Sequence, residues 1–289
     1  MLTRCRAGCK IGLMVVRVAF LGPGGTYTEE AALAFLGEEA ERLPHPSIQG
    51  TLRAAASGEA DCAVVPVENA IEGTVSATLD TLWLYSSLQV RRALVLPVRH
   101  CLIGHQKGTA PIRTVYSHPQ ALAQCQGWLE EHLGAVQRVP TASTSEALRH
   151  LGPGSAAIAS ERAAQLHDLP VLQRQINDHP DNCTRFWLVS EQPFWAGLPS
   201  QCTSIAFGLR RNRPGILYEI LAIFARAQIN LAKIESRPTK KVIGEYLFFA
   251  DLEGDSRSQT IAAALQEVQT LVAELKILGS YGIERVKAD

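Results

Sequence analysis

The chain has 289 residues, enough for one large domain or two unequal ones with a real core. Lys plus Arg and Asp plus Glu both number 28, so the formal charge is zero. No basic stripe is available for a polyanion, which argues against nucleic acid as a partner. Seven cysteines, an odd count with no C-x-x-C, fit the reduced thiols of a cytoplasmic protein better than a disulfide framework. Cys5 and Cys9 are closely spaced, but no nearby His or further Cys completes a metal site. No stretch is long and apolar enough to span a membrane.

Residues 1–14 read as a frayed extension, with Met14 an alternative start. Arg17–Leu21 is predicted to be the first strand, followed by a short helix over Glu29–Leu36 with Ala32, Phe35 and Leu36 inward. Asp61–Val67 is a continuous apolar run, typical of a strand buried on both faces of a parallel sheet. Val75, Leu79 and Leu82 mark a helix, and Pro119–Leu133 reads as another single helix with Leu122, Cys125 and Leu129 on one face. Ser155–Ser160 and Phe186–Ser190 look like further buried strands. Strand–helix alternation as far as about Val189 implies an α/β sheet divided into two lobes.

Glu191–Gln201 carries two prolines and breaks this rhythm, as a linker would. A different order follows. Thr203–Leu209 alternates as a strand, and Pro214 opens a helix with Leu217, Ile220, Leu221 and Phe224 on one stripe. Strands are predicted near Asn230–Glu235 and Glu245–Asp251. A helix with Ile261, Leu265, Val268 and Val272 inward and a last strand near Leu275–Ser280 complete the unit. The order β-α-β-β-α-β is that of a ferredoxin-like domain.

Four segments of the larger region carry possible chemistry. Gly22-Pro23-Gly24-Gly25-Thr26-Tyr27 is a strand-to-helix turn whose N–H groups would suit an anion, or simply a tight turn. Pro66–Gly73 sits where a buried strand emerges; Asn69 there could donate its amide to a carboxylate or form a turn. Ser117-His118-Pro119-Gln120 opens a helix, with Ser117 placed to cap it or to meet an anion. Gln124 shares the helix face of Gln120, and His118 reads as structural. Asp181–Phe186 sets a hydroxyl, Thr184, beside a guanidinium, Arg185. In an extended strand the two would face opposite ways, so both reach one ligand only where the backbone bends.

Together these segments resemble the prephenate dehydratase family, in this order and over nearly all of residues 17–190. The matches are the Gly-Pro-x-Gly-Thr turn at 22–26, Pro-x-Glu-Asn-x-x-Glu-Gly at 66–73, Ser-His-Pro-Gln with Gln124 beyond, and Thr-Arg-Phe at 184–186. Glu235-Ser236-Arg237-Pro238 resembles the phenylalanine-binding signature of an ACT domain. Gly215-Ile216-Leu217 stands where that family has Gly-Ala-Leu.

The resemblance implies a two-lobed, periplasmic-binding-protein-like α/β catalytic region over 15–192 and a linker over 193–202. An α+β ferredoxin-like ACT domain over 203–283 and a tail over 284–289 would follow. It implies decarboxylating dehydration of prephenate with no cofactor and no metal. Thr184 would be catalytic, and Thr26, Asn69, Ser117, Gln124, Arg185 and Phe186 would bind substrate. Gly215, Ile216, Leu217, Glu235, Ser236, Arg237 and Pro238 would bind L-phenylalanine as effector in a homodimer or homotetramer. Ala70 replaces a family Ser, Tyr27 and Thr28 replace Phe and Ser, and Ile216 in place of Ala is expected to narrow the effector pocket. Two rival readings stay open: dehydration of arogenate, and a non-catalytic small-molecule sensor.

Overall fold

The computed structural model describes residues 15–105, 111–193, 198–240 and 242–286. The extension expected over 1–14 lies outside them. In chain order come β1 (Arg17–Leu21), α1 (Tyr27–Leu36), β2 (Glu41–His45), α2 (Ile48–Ala56), β3 (Cys62–Asn69), β4 (Gly73–Thr74), α3 (Ser76–Leu84) and β5 (Gln89–Pro97). The chain then enters a second lobe with β6 (Cys101–Ile103), β7 (Thr114–Ser117), α4 (Pro119–Gln124), α5 (Gln126–Leu133), β8 (Gln137–Pro140), a 3-10 turn (Glu146–His150), β9 (Ser155–Ala159), α6 (Glu161–Leu166) and β10 (Val171–Gln173). It returns to the first lobe as β11 (Cys183–Ser190). The C-terminal unit is β12 (Cys202–Leu209), α7 (Ile216–Arg226), β13 (Leu231–Pro238), β14 (Tyr246–Glu253), α8 (Gln259–Leu271) and β15 (Val272–Arg285). Among the described residues no helix is long and apolar enough to cross a membrane.

The two lobes are two sheets, joined where β5 passes to β6 and β10 to β11. The second lobe has the order β10-β6-β9-β7-β8. The first continues without a break into the C-terminal unit, β13-β14-β12-β15-β5-β11-β3-β1-β2. β15 makes the junction: it runs antiparallel to β12 as far as Tyr281, and then Gly282–Arg285 pair in parallel with β5. The strand expected to stop near Ser280 therefore runs to Arg285, and residues 284 and 285 are sheet rather than tail. Gly279 permits the turn-over. Its φ is +153°, and a Cβ there would strike the backbone of Val90 in β5.

The segment expected as one helix over Pro119–Leu133 is two. Cys125 leaves helical geometry (φ −122°, ψ 17°), and Asp178 accepts from the N–H groups of Gly127 and Trp128, 2.9 Å each. A carboxylate distant in sequence thus caps the second helix, a role that periodicity cannot show. In the first lobe α1 covers one face of the sheet, over Val18, Val64, Leu94, Phe186 and Leu188. The opposite face holds Val65, Val67, Trp187 and Tyr281, and packs toward α2, α3 and the C-terminal unit.

Candidate active site

β3 and β11 run antiparallel, with Asn69 opposite Thr184 and Glu68 opposite Arg185. Successive strand residues leave by opposite faces, so Thr184 and Phe186 share one side while Arg185 and Trp187 share the other. Thr184 and Asn69, both nearly buried, meet: Asn69 Nδ2 donates to Thr184 Oγ1 at 3.0 Å.

The direction of that bond is fixed by the backbone. Asn69 Oδ1 accepts from the N–H groups of Ile71 and Glu72, both 3.0 Å, and amide N–H groups can only donate. Nδ2 must therefore be the donor toward Thr184, toward Asn182 Oδ1 at 2.9 Å and toward Cys183 O at 3.2 Å. Asn182, oriented in turn, donates Nδ2 to Gln124 Oε1 at 3.0 Å. Gln124 Oε1 also faces His100 Nε2 at 3.0 Å, which places the imidazole proton on Nε2. His100 Nδ1 lies 3.2 Å from the Tyr27 hydroxyl, whose single proton goes to Arg99 O at 2.7 Å.

Two donors are left over. The Thr184 hydroxyl accepts from Asn69 and keeps its own proton for another acceptor. Gln124 Nε2 is buried with no hydrogen-bond partner among the described residues. Such a buried donor costs free energy until a ligand or water takes it up. The scaffold around them is neutral: burial lowers the His100 pKa against the opposing pull of its bond to Gln124. Burial likewise raises the Tyr27 phenol well above its ordinary value. A cavity of about 420 Å³ adjoins this network, lined by Tyr27, Glu30, Leu96, Arg99 and Arg162 among others. It shares Tyr27 with the network but contains neither Thr184 nor Asn69. Burial lifts Glu30 on its wall to about 7, against the bond from Ser160 and the charge of Arg162.

Of the residues singled out in the sequence, the structure brings together Asn69, Gln124 and Thr184. The others are placed differently. Arg185 projects from the opposite face, 3.0 Å from Glu68 and 2.8 Å from Asp251 of β14, so the adjacent hydroxyl and guanidinium do not converge. Phe186 is a core residue under α1. The Ser117 hydroxyl donates to Ile158 O at 2.6 Å, and it is His118 that caps α4 through Nδ1. Thr26 caps α1 and donates to Leu21 O at 3.0 Å, so its hydroxyl is also used internally. In the Gly-rich turn the anion is the protein's own: Glu29 Oε2 accepts from Gly25 N–H at 2.6 Å. His100 escaped the sequence reading, and Tyr27 entered it only as part of the Gly-rich turn, because a lone Asn, His or Tyr carries no periodic signal. Asn182 lies within Asp181–Phe186, and only its side-chain partners identify it.

In the C-terminal unit, Gly215 sits at φ +83° as the N-cap of α7. Ile216 is buried in the core with Ile220 and Phe224, and Leu217 packs against the same cluster. The bulk expected to narrow an effector pocket is thus absorbed in the core. Along β13, Glu235 and Arg237 are half-buried while Ser236 and Pro238 are exposed. Arg237 reaches Asp80 of α3 at 3.1 Å.

The architecture is a two-lobed, periplasmic-binding-protein-like α/β enzyme fold followed by a ferredoxin-like regulatory-type unit. Residues 18–193 match the family model for prephenate dehydratase and residues 203–269 that for the ACT domain. The bifunctional chorismate mutase/prephenate dehydratase of Aquifex aeolicus is 40% identical over 268 residues, covering 92% of this chain and 73% of that one. The prephenate dehydratase of Lactococcus lactis subsp. lactis is 35% identical over 276 residues, covering 93% and 98%. The crystal structure of the prephenate dehydratase of Arthrobacter aurescens in complex with L-Phe superposes with a TM-score of 0.84 at 35% identity, covering 92% and 90%. This chain belongs to the prephenate dehydratase family and is a lyase with a C-terminal ACT domain.

Proposed function

We propose that the chain converts prephenate to phenylpyruvate at the Thr184–Asn69–Gln124 cluster, in the cytoplasm, as a step of phenylalanine biosynthesis. The observation that carries this reading is the orientation of Asn69, set by two backbone N–H groups, which leaves the Thr184 proton free. As the ring carboxylate departs as CO2, the electrons of its C–C bond move into the ring and expel the C4 hydroxyl. One proton joins that hydroxyl and water leaves, so the substrate dianion becomes a monoanion. Thr184 donates its hydrogen bond to the departing oxygen, and the bond it accepts from Asn69 polarises its O–H in that direction. A threonine hydroxyl is too weak an acid to act alone, so orientation and polarisation are its contribution, and aromatisation supplies the driving force. Gln124 Nε2 offers a second neutral donor to the same ligand.

The substrate-binding set reduces to Asn69, Gln124 and Thr184, with Asn182 and His100 holding them. The ACT domain, over about 203–283, binds L-phenylalanine and lowers turnover in a dimer or tetramer. The L-Phe complex of the Arthrobacter relative supports the choice of effector. Incubation with prephenate should yield phenylpyruvate, and with Thr184→Ala roughly 10²- to 10³-fold less per unit time, KM changing little. Near-normal turnover by that variant removes Thr184 from the chemistry. Arogenate assayed in parallel for phenylalanine decides the substrate, and a calorimetric titration without a phenylalanine signal removes the effector.

A further inference from the structure

The face of β3 and β11 opposite the catalytic pair carries a cluster of charges that the reaction does not use. Arg185 Nη2 lies 3.0 Å from Glu68 Oε2 and 2.8 Å from Asp251 Oδ2. Lys233 Nζ of β13 lies 3.2 Å from Glu68 Oε1 and 4.0 Å from Glu235 Oε2. Glu68 and Arg185 are the immediate chain neighbours of Asn69 and Thr184 and are paired in the same register. Asp251 and Lys233 belong to the ACT domain. Asp251 is buried, 4% exposed, whereas the Glu68 side chain at the other end of the cluster is 38% exposed. Burial alone would lower the Arg185 pKa, but Asp251, Tyr281 and Glu68 outweigh it and raise it.

Asp251 is itself held. Its Oδ1 accepts from Ser204 Oγ at 2.5 Å, Ser204 meets the Tyr281 hydroxyl at 2.6 Å, and Tyr281 packs edge-on against Trp187 at 5.9 Å. The Arg185 guanidinium lies over that same Trp187 ring. Asp251 Oδ2 and Lys233 Nζ meet their partners by distance but not in hydrogen-bonding alignment.

We propose that Asp251 is a positioning residue for catalysis: through Arg185 and Glu68 it sets the β3–β11 pairing that aims Asn69 at Thr184. The ACT domain thereby influences turnover across one ion cluster, anchored at the buried Asp251. Lys233 links this cluster to Glu235, in the segment assigned to the effector; that link rests on the effector reading above, and the positioning role does not. Asp251→Asn keeps the shape and the bond from Ser204 but removes the charge that holds Arg185.

The test uses the full-length protein. Asp251→Asn should lower kcat for prephenate about tenfold with KM within about twofold, a loss confined to the transition state. Without any substrate, amide hydrogen exchange over 66–70 and 183–187 should quicken severalfold, while exchange in the second lobe stays at the wild-type rate. Glu68→Gln, on the more exposed side of the cluster, should move both readouts the same way and serves should Asp251→Asn fail to fold. The double variant Arg185→Gln/Asp251→Asn should be no slower than Arg185→Gln alone, since both act along one path. Unchanged kcat together with unchanged exchange at 183–187 overturns the proposal. A wild-type chain inactive on prephenate removes the substrate reading, and the exchange comparison then decides this one.

Discussion

Replacing Asn69 by Asp tests the site at its most constrained atom. The side chain keeps its shape, and Oδ1 still accepts from the N–H groups of Ile71 and Glu72. The other terminus changes from a two-hydrogen donor to an anionic acceptor facing Thr184 Oγ1, Asn182 Oδ1 and Cys183 O at 2.9–3.2 Å. Thr184 then turns its proton toward the new carboxylate and away from the substrate. Releasing that proton breaks a hydrogen bond to a charged group, which costs about 1.5–3 kcal/mol. Loss of the polarising bond from Asn69 adds about 1 kcal/mol. The sum, about 2.5–4 kcal/mol, corresponds to a fall in kcat of roughly 70- to 900-fold. Asn182 can rotate its amide to meet the anion, but Cys183 O cannot, so stability should drop by about 2 kcal/mol. Steady-state formation of phenylpyruvate gives kcat and KM, and urea unfolding gives the stability. A variant with kcat within about threefold of wild type, and folded, refutes the assigned direction of the Asn69–Thr184 bond.

Glu30→Gln addresses the buried carboxyl beside the cavity. Its folded pKa is raised from 4.5 to about 7, so the folded state holds the proton longer than the unfolded chain. Its contribution is therefore full below about pH 4.5 and is lost as pH rises to about 7, a change on the order of 3 kcal/mol. The stability difference between variant and wild type should move in favour of the variant by about that amount between pH 4.5 and pH 8. A difference independent of pH would contradict the burial argument. Gly25→Ala should destabilise the contact that Gly25 of the first lobe makes with Ser145 and Ala163 of the second. Gly25 has φ +80°, and an added Cβ would come within 2.8 Å of Ser145 Oγ and 3.0 Å of Ala163. The expected cost is about 2 kcal/mol or more, read as a fall of several degrees in the melting midpoint.

The sequence made the order of elements legible because β1, β3 and β11 of the first lobe are largely buried on both faces and the ACT helices carry clear apolar stripes. What it obscured follows from particular residues. Thr184-Arg185-Phe186 looks like a cluster in one dimension, yet strand alternation sends Arg185 to the ACT interface and Phe186 into the core. Thr26 and Ser117 are hydroxyls at helix starts, where capping and internal bonding compete with ligands, and here the internal bonds win. The reach of β15 was hidden by Gly279 and Gly282, which interrupt its alternation: Gly279 allows the close approach to Val90 of β5, and Gly282 makes room for Leu198 and Pro199. Asn182, His100 and Tyr27 are joined only by side-chain bonds between residues far apart in the chain, which no local pattern encodes.

The central claim is that the protonated hydroxyl of Thr184, aimed by Asn69, assists loss of the C4 hydroxyl. Single-turnover formation of phenylpyruvate from prephenate, comparing wild type with the near-isosteric Thr184→Val, measures that step most directly. Turnover by the wild type with a loss of roughly 10²-fold or more in the variant, at similar substrate affinity, is the predicted result. Equal rates in the two proteins, or no phenylpyruvate from either, would contradict it.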